Sequence, residues 1–70
     1  MVNVQLLKDA IKESGMTTSA LCKKSGMSRQ LLYKRYKKPN FTVEEVLGLR
    51  KALRLTQGET NKIFFANDVE

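Results

Sequence analysis

Arg29, Gln30 and Lys34 are the residues of this chain whose types and spacing suit a definite chemistry. They lie in the stretch Gly26-Met27-Ser28-Arg29-Gln30-Leu31-Leu32-Tyr33-Lys34-Arg35-Tyr36, which reads as a glycine turn, a serine cap and a short helix. Arg29 and Gln30 fall in the first turn, and Lys34 follows one turn later on the same face. A guanidinium fork matches the two acceptors of guanine, and a carboxamide matches the donor and acceptor of adenine. A helix that carries these groups at its leading end suits the major groove of duplex DNA. The plainer reading of the same residues is an exposed polar helix surface with no ligand.

Other chemistries lack their parts. The chain has no histidine, so a serine or cysteine nucleophile would be without its commonest base. Cys22 is the single cysteine, which excludes an internal disulfide and makes no zinc site. A small buried hydrophobe is the preferred reading of Cys22, ahead of a redox sensor. Glu44 and Glu45 are neighbours, so on a helix their carboxylates diverge, and capping or dipole roles account for both. No glycine-rich phosphate loop is present. No catalytic residue, metal, cofactor or small-molecule substrate is expected.

Charge supports the first reading. The 70 residues carry 13 Lys plus Arg against 7 Asp plus Glu, a net charge of +6. Between Glu13 and Glu44 there is no acidic residue, yet that span holds Lys23, Lys24, Arg29, Lys34, Arg35, Lys37 and Lys38. A stretch of one sign raises the local positive potential and attracts polyanions. No apolar run approaches the ~20 residues that span a bilayer, and the first residues, with Asp9 so early, do not resemble a secretory signal. A free thiol without an export signal fits a reducing cytoplasm.

The elements that must position these side chains are all helical. Seventy residues make one domain, 1–70, with a modest core. Val4, Leu7 and Ile11 mark a first helix over 4–14, with Leu6 and Ala10 alongside, Asn3 as cap and Gly15 as a left-handed stop. Thr17 caps a second helix over 18–25, whose apolar members are Ala20, Leu21 and Cys22, and Gly26 ends it. Ser28 caps the third, 29–37, with Leu32 and Tyr36 directed inward and Leu31 ambiguous; Pro39 forbids continuation. Thr42-Val43-Glu44-Glu45 is a capping box, and Phe41 and Val46 occupy the positions of a hydrophobic staple. The fourth helix has the stripe Val46, Leu49, Leu53, flanked by Leu47 and Ala52. Gly48 within it marks either a close helix approach or a tolerated loss of about 1 kcal/mol. Thr56-Gln57-Gly58-Glu59 repeats the capping box and opens a fifth helix ending near Ala66, with 67–70 frayed. The expected fold class is all-α, a compact five-helix globule.

Two short helices joined by a glycine turn form the helix-turn-helix pattern. Here the chain resembles the phage repressor and Cro type of helix-turn-helix proteins, the xenobiotic-response-element-like regulators with a lambda-repressor-like DNA-binding domain. The resemblance covers roughly residues 4–65. It is carried by Leu7 and Ile11 with Gly15-Met16-Thr17, by Leu21 and Cys22, by Gly26-Met27-Ser28-Arg29-Gln30 with Leu32, and by Thr42-Val43-Glu44 through Leu53. Ser28-Arg29-Gln30 with Leu32 and Tyr33 is similar to small regulators of Gram-positive phages and prophages. The chain departs from the family pattern at Thr18, often Gln; at Ser25, commonly aliphatic; at Arg50, often Ala; and at Arg54, often Gly.

The resemblance implies a sequence-specific transcriptional regulator that binds double-stranded DNA in the cytoplasm, with helix two at 18–25 and a recognition helix at 29–37. Arg29 and Gln30 would read bases. Lys34 would read a base or hold a phosphate, and Tyr33 would touch a thymine methyl or sugar-phosphate, or else pack at the globule's edge. Thr17, Thr18, Ser28, Lys37, Lys38 and Asn40 are the expected phosphate contacts, which fix register without carrying sequence information. One module reads a half-site, so a homodimer on a palindromic operator, with half-sites ~34–36 Å apart, is one reading and a monomer with both terminal rings buried is the other. Phe64 and Phe65 either both complete the core, or one does so while the other meets a partner. Two rival functions use the same residues differently. One is a protein-interaction module, such as an antitoxin or phage accessory factor, working through Arg50, Arg54 and Phe65. The other is non-specific nucleic-acid or RNA binding, whose affinity would track salt but not sequence.

Overall fold

Each helix of the chain begins on a side-chain oxygen. A computed structural model describes residues 2–65. It contains α1 (Val4–Ser14), α2 (Thr18–Ser25), α3 (Arg29–Lys37), α4 (Val43–Leu53) and α5 (Gln57–Phe64), with no strand among the described residues. Asn3, Thr17 and Ser28 accept from the backbone N–H of Leu6, Ala20 and Leu31, each satisfying an amide that lacks an intrahelical partner. Thr42 and Thr56 each head a complete capping box, with Glu45 and Glu59 returning to the cap backbone. The expected end of α5 near Ala66 and the expected fraying of 67–70 lie outside the described residues.

Three helices stop in the left-handed conformation. Gly15 and Gly26 supply it at φ 74° and 79°, where a side chain would be strained. Arg54 adopts it at φ 54°, the one non-glycine residue among those described to do so. The Leu55 N–H reaches the Arg50 carbonyl at 3.0 Å, and the Arg54 N–H reaches Lys51 at 3.3 Å. This is a Schellman stop, which ordinarily favours glycine at the position Arg54 occupies.

All five helices contribute to one core. Leu7, Leu21, Leu32 and Leu49 are the largest fully buried side chains, joined by Cys22, Ala52, Ile63 and Phe64. Met27, in the link between α2 and α3, is also buried, although the sequence gives it no periodic position. Phe64 closes the core edge-on against Phe41, with ring centroids 5.5 Å apart, while Phe65 stays 41% exposed. The two rings therefore take different environments. The broadest helix contact is between α2 and α4. Gly48 sits in it, and a methyl group there would overlap the Ser25 carbonyl oxygen. The close-approach reading of Gly48 holds. Leu47, a flank of the α4 stripe in the sequence reading, is 54% exposed instead. The radius of gyration is 11.0 Å, the value of a closely packed chain of this length.

Candidate nucleic-acid interface

The short helix α3 divides its residues cleanly between two sides. Arg29, Gln30, Tyr33, Lys34 and Lys37 are all exposed. At about 100° per residue they fill one arc of roughly 140°. Leu32 is buried and Leu31 and Arg35 are half-buried on the opposite arc, while half-buried Tyr36 borders the exposed one, about 20° from Arg29. Leu31 thus joins the inward side, packed against the core. The Ser28 cap holds the leading turn in place, so Arg29 and Gln30 project from the first turn of a fixed helix.

The expected phosphate contacts fall into two groups. Thr17 and Ser28 stand at the starts of α2 and α3, with their oxygens already accepting from backbone amides and their hydroxyl protons free to donate outward. Thr18, half-buried, follows Thr17. Lys37, Lys38 and Asn40 are exposed at the other end of α3. Across Pro39 the Asn40 N–H donates to the Lys38 carbonyl at 2.7 Å, which turns the chain sharply away from the helix axis.

Three side chains escaped the sequence reading. Arg35 belongs to the acid-free span but is not an open cation: its Nε and Nη2 donate to Oε1 and Oε2 of Glu45 at 2.8 and 3.0 Å. Glu45 Oε1 also accepts from the Thr42 N–H at 3.1 Å, so one carboxylate ties α3 to the cap of α4. The pair is 18% and 12% exposed, and it is the one ion pair among the described residues. Arg35 holds the Glu45 carboxyl below its usual range against the opposing effect of burial, and Thr42 adds to the lowering. Glu45 in turn raises the Arg35 guanidinium. Lys8 of α1 places its Nζ 4.9 Å from the centre of the Tyr36 ring, a cation–π contact that adds a positive charge beside α3. Met27 is buried in the link that precedes α3. The Arg35–Glu45 and Lys8–Tyr36 contacts join residues of different helices, and no local pattern announces them.

Tyr33 is intermediate between its two readings. Its ring lies 6.0 Å from Tyr36, tilted by 54°, yet the residue is 47% exposed. Tyr36 is pushed above the usual phenol range by burial first, then by Tyr33 and Cys22. Cys22 is 6% exposed, and burial raises its thiol while Arg29 pulls the other way. A buried, raised thiol is inert in the way a packing residue is. Among the described residues no group of acids and thiols is gathered to hold a metal ion, and no helix is long and apolar enough to cross a membrane.

The remaining six cations of the acid-free span, Lys23, Lys24, Arg29, Lys34, Lys37 and Lys38, are all exposed. The arrangement can bind a polyanion and offers planar hydrogen-bonding groups from one rigid arc. Comparison with family models, curated proteins and solved structures gave no match.

Proposed function

We propose that the chain is a sequence-specific double-stranded DNA-binding regulator of the Cro and repressor type, with α2 and α3 as its helix-turn-helix and α3 as the recognition helix. The observation that carries this reading is the exposed arc of α3. It gathers Arg29, Gln30, Tyr33, Lys34 and Lys37 on one side of a capped helix, inside a span with no acidic residue. Arg29 and Gln30 read base edges, each good bidentate contact contributing about 1–3 kcal/mol of discrimination. Lys34 and Tyr33 extend the same contact. Thr17, Thr18 and Ser28 grip phosphates at the helix starts, and Lys37, Lys38 and Asn40 do so at the far end. The protein acts in the cytoplasm by occupying an operator and blocking polymerase or a competing repressor. No chemical step is involved.

The test is selection of duplexes from a random pool by the purified protein at physiological salt. Enrichment of one motif is the expected result, and an inverted repeat would identify a two-fold complex. Affinity that follows salt but favours no sequence overturns the reading in favour of non-specific binding. Binding of a protein partner that survives loss of Arg29, with no duplex bound, overturns it in favour of an interaction module.

A further inference from the structure

The surface between α1 and α5 carries charge of the opposite sign to α3. A groove of about 190 Å³ runs there, with Leu6, Ala10, Leu55 and Ile63 as its apolar lining. Leu6 is 38% exposed, an open aliphatic side chain at the groove's edge. Asp9, Glu13 and Glu59 stand along the same groove, so three of the chain's seven acids meet in one place. Lys62, the one cation among the lining residues, lies one turn from Glu59 and offsets it. Asp9 and Glu13 are left without an ion-pair partner among the described residues. Both are poorly placed for α1 itself. They lie four residues apart on one side of the helix, where like charges repel. Glu13 also falls in the last turn, where the backbone dipole disfavours an acid. Lys12 shares that turn but lies about 100° around the helix from Glu13. Gln5 donates to Asp9 at 3.0 Å and brings no charge.

We propose that this groove docks a basic amphipathic helix of another protein, with an aliphatic ridge against Leu6, Ala10 and Leu55 and lysines or arginines against Asp9 and Glu13. The volume is below the roughly 300–1,000 Å³ of small-molecule sites, and suits side chains offered by a macromolecule. Two helices flanking an apolar trough receive a third helix, whose anchors recur at i, i+3 or i+4, and i+7. Charge selects the sign of that helix, because unpaired acids on both sides of the approach repel an acidic segment and steer a basic one. A second copy of the chain does not supply it. The cationic arc of α3 has Leu32 buried and Leu31 half-buried, so it presents no open aliphatic ridge.

No residue of the groove belongs to α2 or α3. Leu6 and Ala10 each lie about 160° around α1 from Lys8, the residue that contacts Tyr36 of α3. The groove and the cationic arc therefore face different partners. The proposal goes beyond DNA recognition and does not require it. The patch is small, which places the contact at the weak end of specific interfaces, with a Kd in the micromolar range or above.

Amide spectra of the isotopically labelled chain, titrated at physiological salt with a synthetic Leu/Lys peptide of about 18 residues patterned as an amphipathic helix, test it. Saturable shifts are expected at Leu6, Asp9, Ala10, Glu13 and Ile63. A peptide of the same composition, with its leucines scattered around the helix, should bind at least about tenfold more weakly. Asp9→Lys combined with Glu13→Lys should raise the Kd of the Leu/Lys peptide at least about tenfold, and should admit a Leu/Glu peptide to the same groove residues. Asp9→Asn with Glu13→Gln, which keeps the side-chain shapes, should give part of that loss. Both positions are exposed, so thermal melts of these variants should not fall below the wild type. Shifts confined to other faces overturn the proposal. So does equal binding of the scattered peptide, or full affinity in the double lysine variant. Groove shifts that follow protein concentration before any peptide is added identify a second copy as the occupant and overturn it as well. Because no duplex is present, failure here is distinct from failure of the operator reading.

Discussion

Helices α3 and α4 are held together by one carboxylate, yet they follow opposite rules. In α4 the charges agree with the backbone dipole: Glu44 and Glu45 sit in the first turn, Arg50 and Lys51 in the last, and a capping box closes the start. In α3 the first turn has no acid and begins with Arg29, a cation at the positive end. Such placement is unfavourable by about 0.3–1 kcal/mol. Its three basic residues in the last turn are favourable but exceed what a dipole needs, and Arg35 depends on an acid borrowed from α4. Of these cations only Arg35 is compensated inside the fold, by Glu45, and a departure from local rules is where a functional surface is to be sought. By that criterion the proposed DNA contact belongs to the outer arc of α3 rather than to the inner face of α4.

If that division is right, substitutions on the inner face of α4 should damage stability, and substitutions on the outer arc of α3 should damage binding alone. The largest effect is expected at Gly48. Gly48→Ala gains about 1 kcal/mol of helix propensity, but the new methyl meets the Ser25 carbonyl, which is backbone and cannot rotate away. A net loss of about 1–3 kcal/mol is expected in thermal or denaturant unfolding. An unchanged Tm would remove the close packing of α2 on α4. Arg29→Ala should weaken operator binding by about 1–3 kcal/mol and relax one position of the site. Its melting temperature should hold or rise slightly, because an unfavourable charge leaves the helix start. A stability loss instead would make Arg29 part of the scaffold.

Arg54→Gly sharpens the account of α4's end. Relieving the left-handed strain at φ 54° should stabilise the fold by about 1 kcal/mol, a Tm rise of about 4–8 °C in a domain this small.

The link between the two helices has its own signature in pH. Arg35 first, and Thr42 with it, hold Glu45 below the ordinary carboxylate range. That stabilisation is fully present above the unfolded-state value of about 4.3 and is lost as pH falls through the lower folded one. The acid branch of a Tm-against-pH curve should therefore be shallower for Glu45→Gln than for the wild type. Some slope should remain from Glu59, which its bonds to Thr56 also hold low. Equal slopes would mean that Glu45 carries no charge-dependent part of the α3–α4 link. The smallest expected change is at Lys38. Lys38→Ala should weaken all duplexes alike and lower the salt slope by about one; an unaltered slope removes Lys38 from the phosphate contacts.

Short-range chemistry made the helices legible. Asn3, Thr17, Ser28, Thr42 and Thr56 each cap within three residues, and Gly15 and Gly26 stop helices by their own conformational freedom. Hence the bounds 4–14, 18–25 and 29–37 follow from sequence, and so does the outward face of Gln30 and Lys34, which period sets about 160° from Leu32; Arg29 lies only about 20° from Tyr36 by period, and its exposure is decided by the structure. The ambiguous residues were those whose environment depends on a second element. Leu31 and Leu47 are equally apolar and equally helical, yet one packs on the core and the other faces solvent. Phe64 and Phe65 are adjacent and identical, and only the packing of the other helices decides which is enclosed.

By itself the sequence determined the five helices, their starts, most of their stops and the polar arc of α3, because caps, turns and periodicity act within a few residues along the chain. Tertiary structure alone decided the burial of Met27, the need for glycine at 48, the capture of Arg35 by Glu45, the approach of Lys8 to Tyr36 and the acid-lined groove between α1 and α5. Each of those depends on how far apart two helices lie and how they are rotated, and that distance is set by the packing of the whole core rather than by any neighbour in sequence.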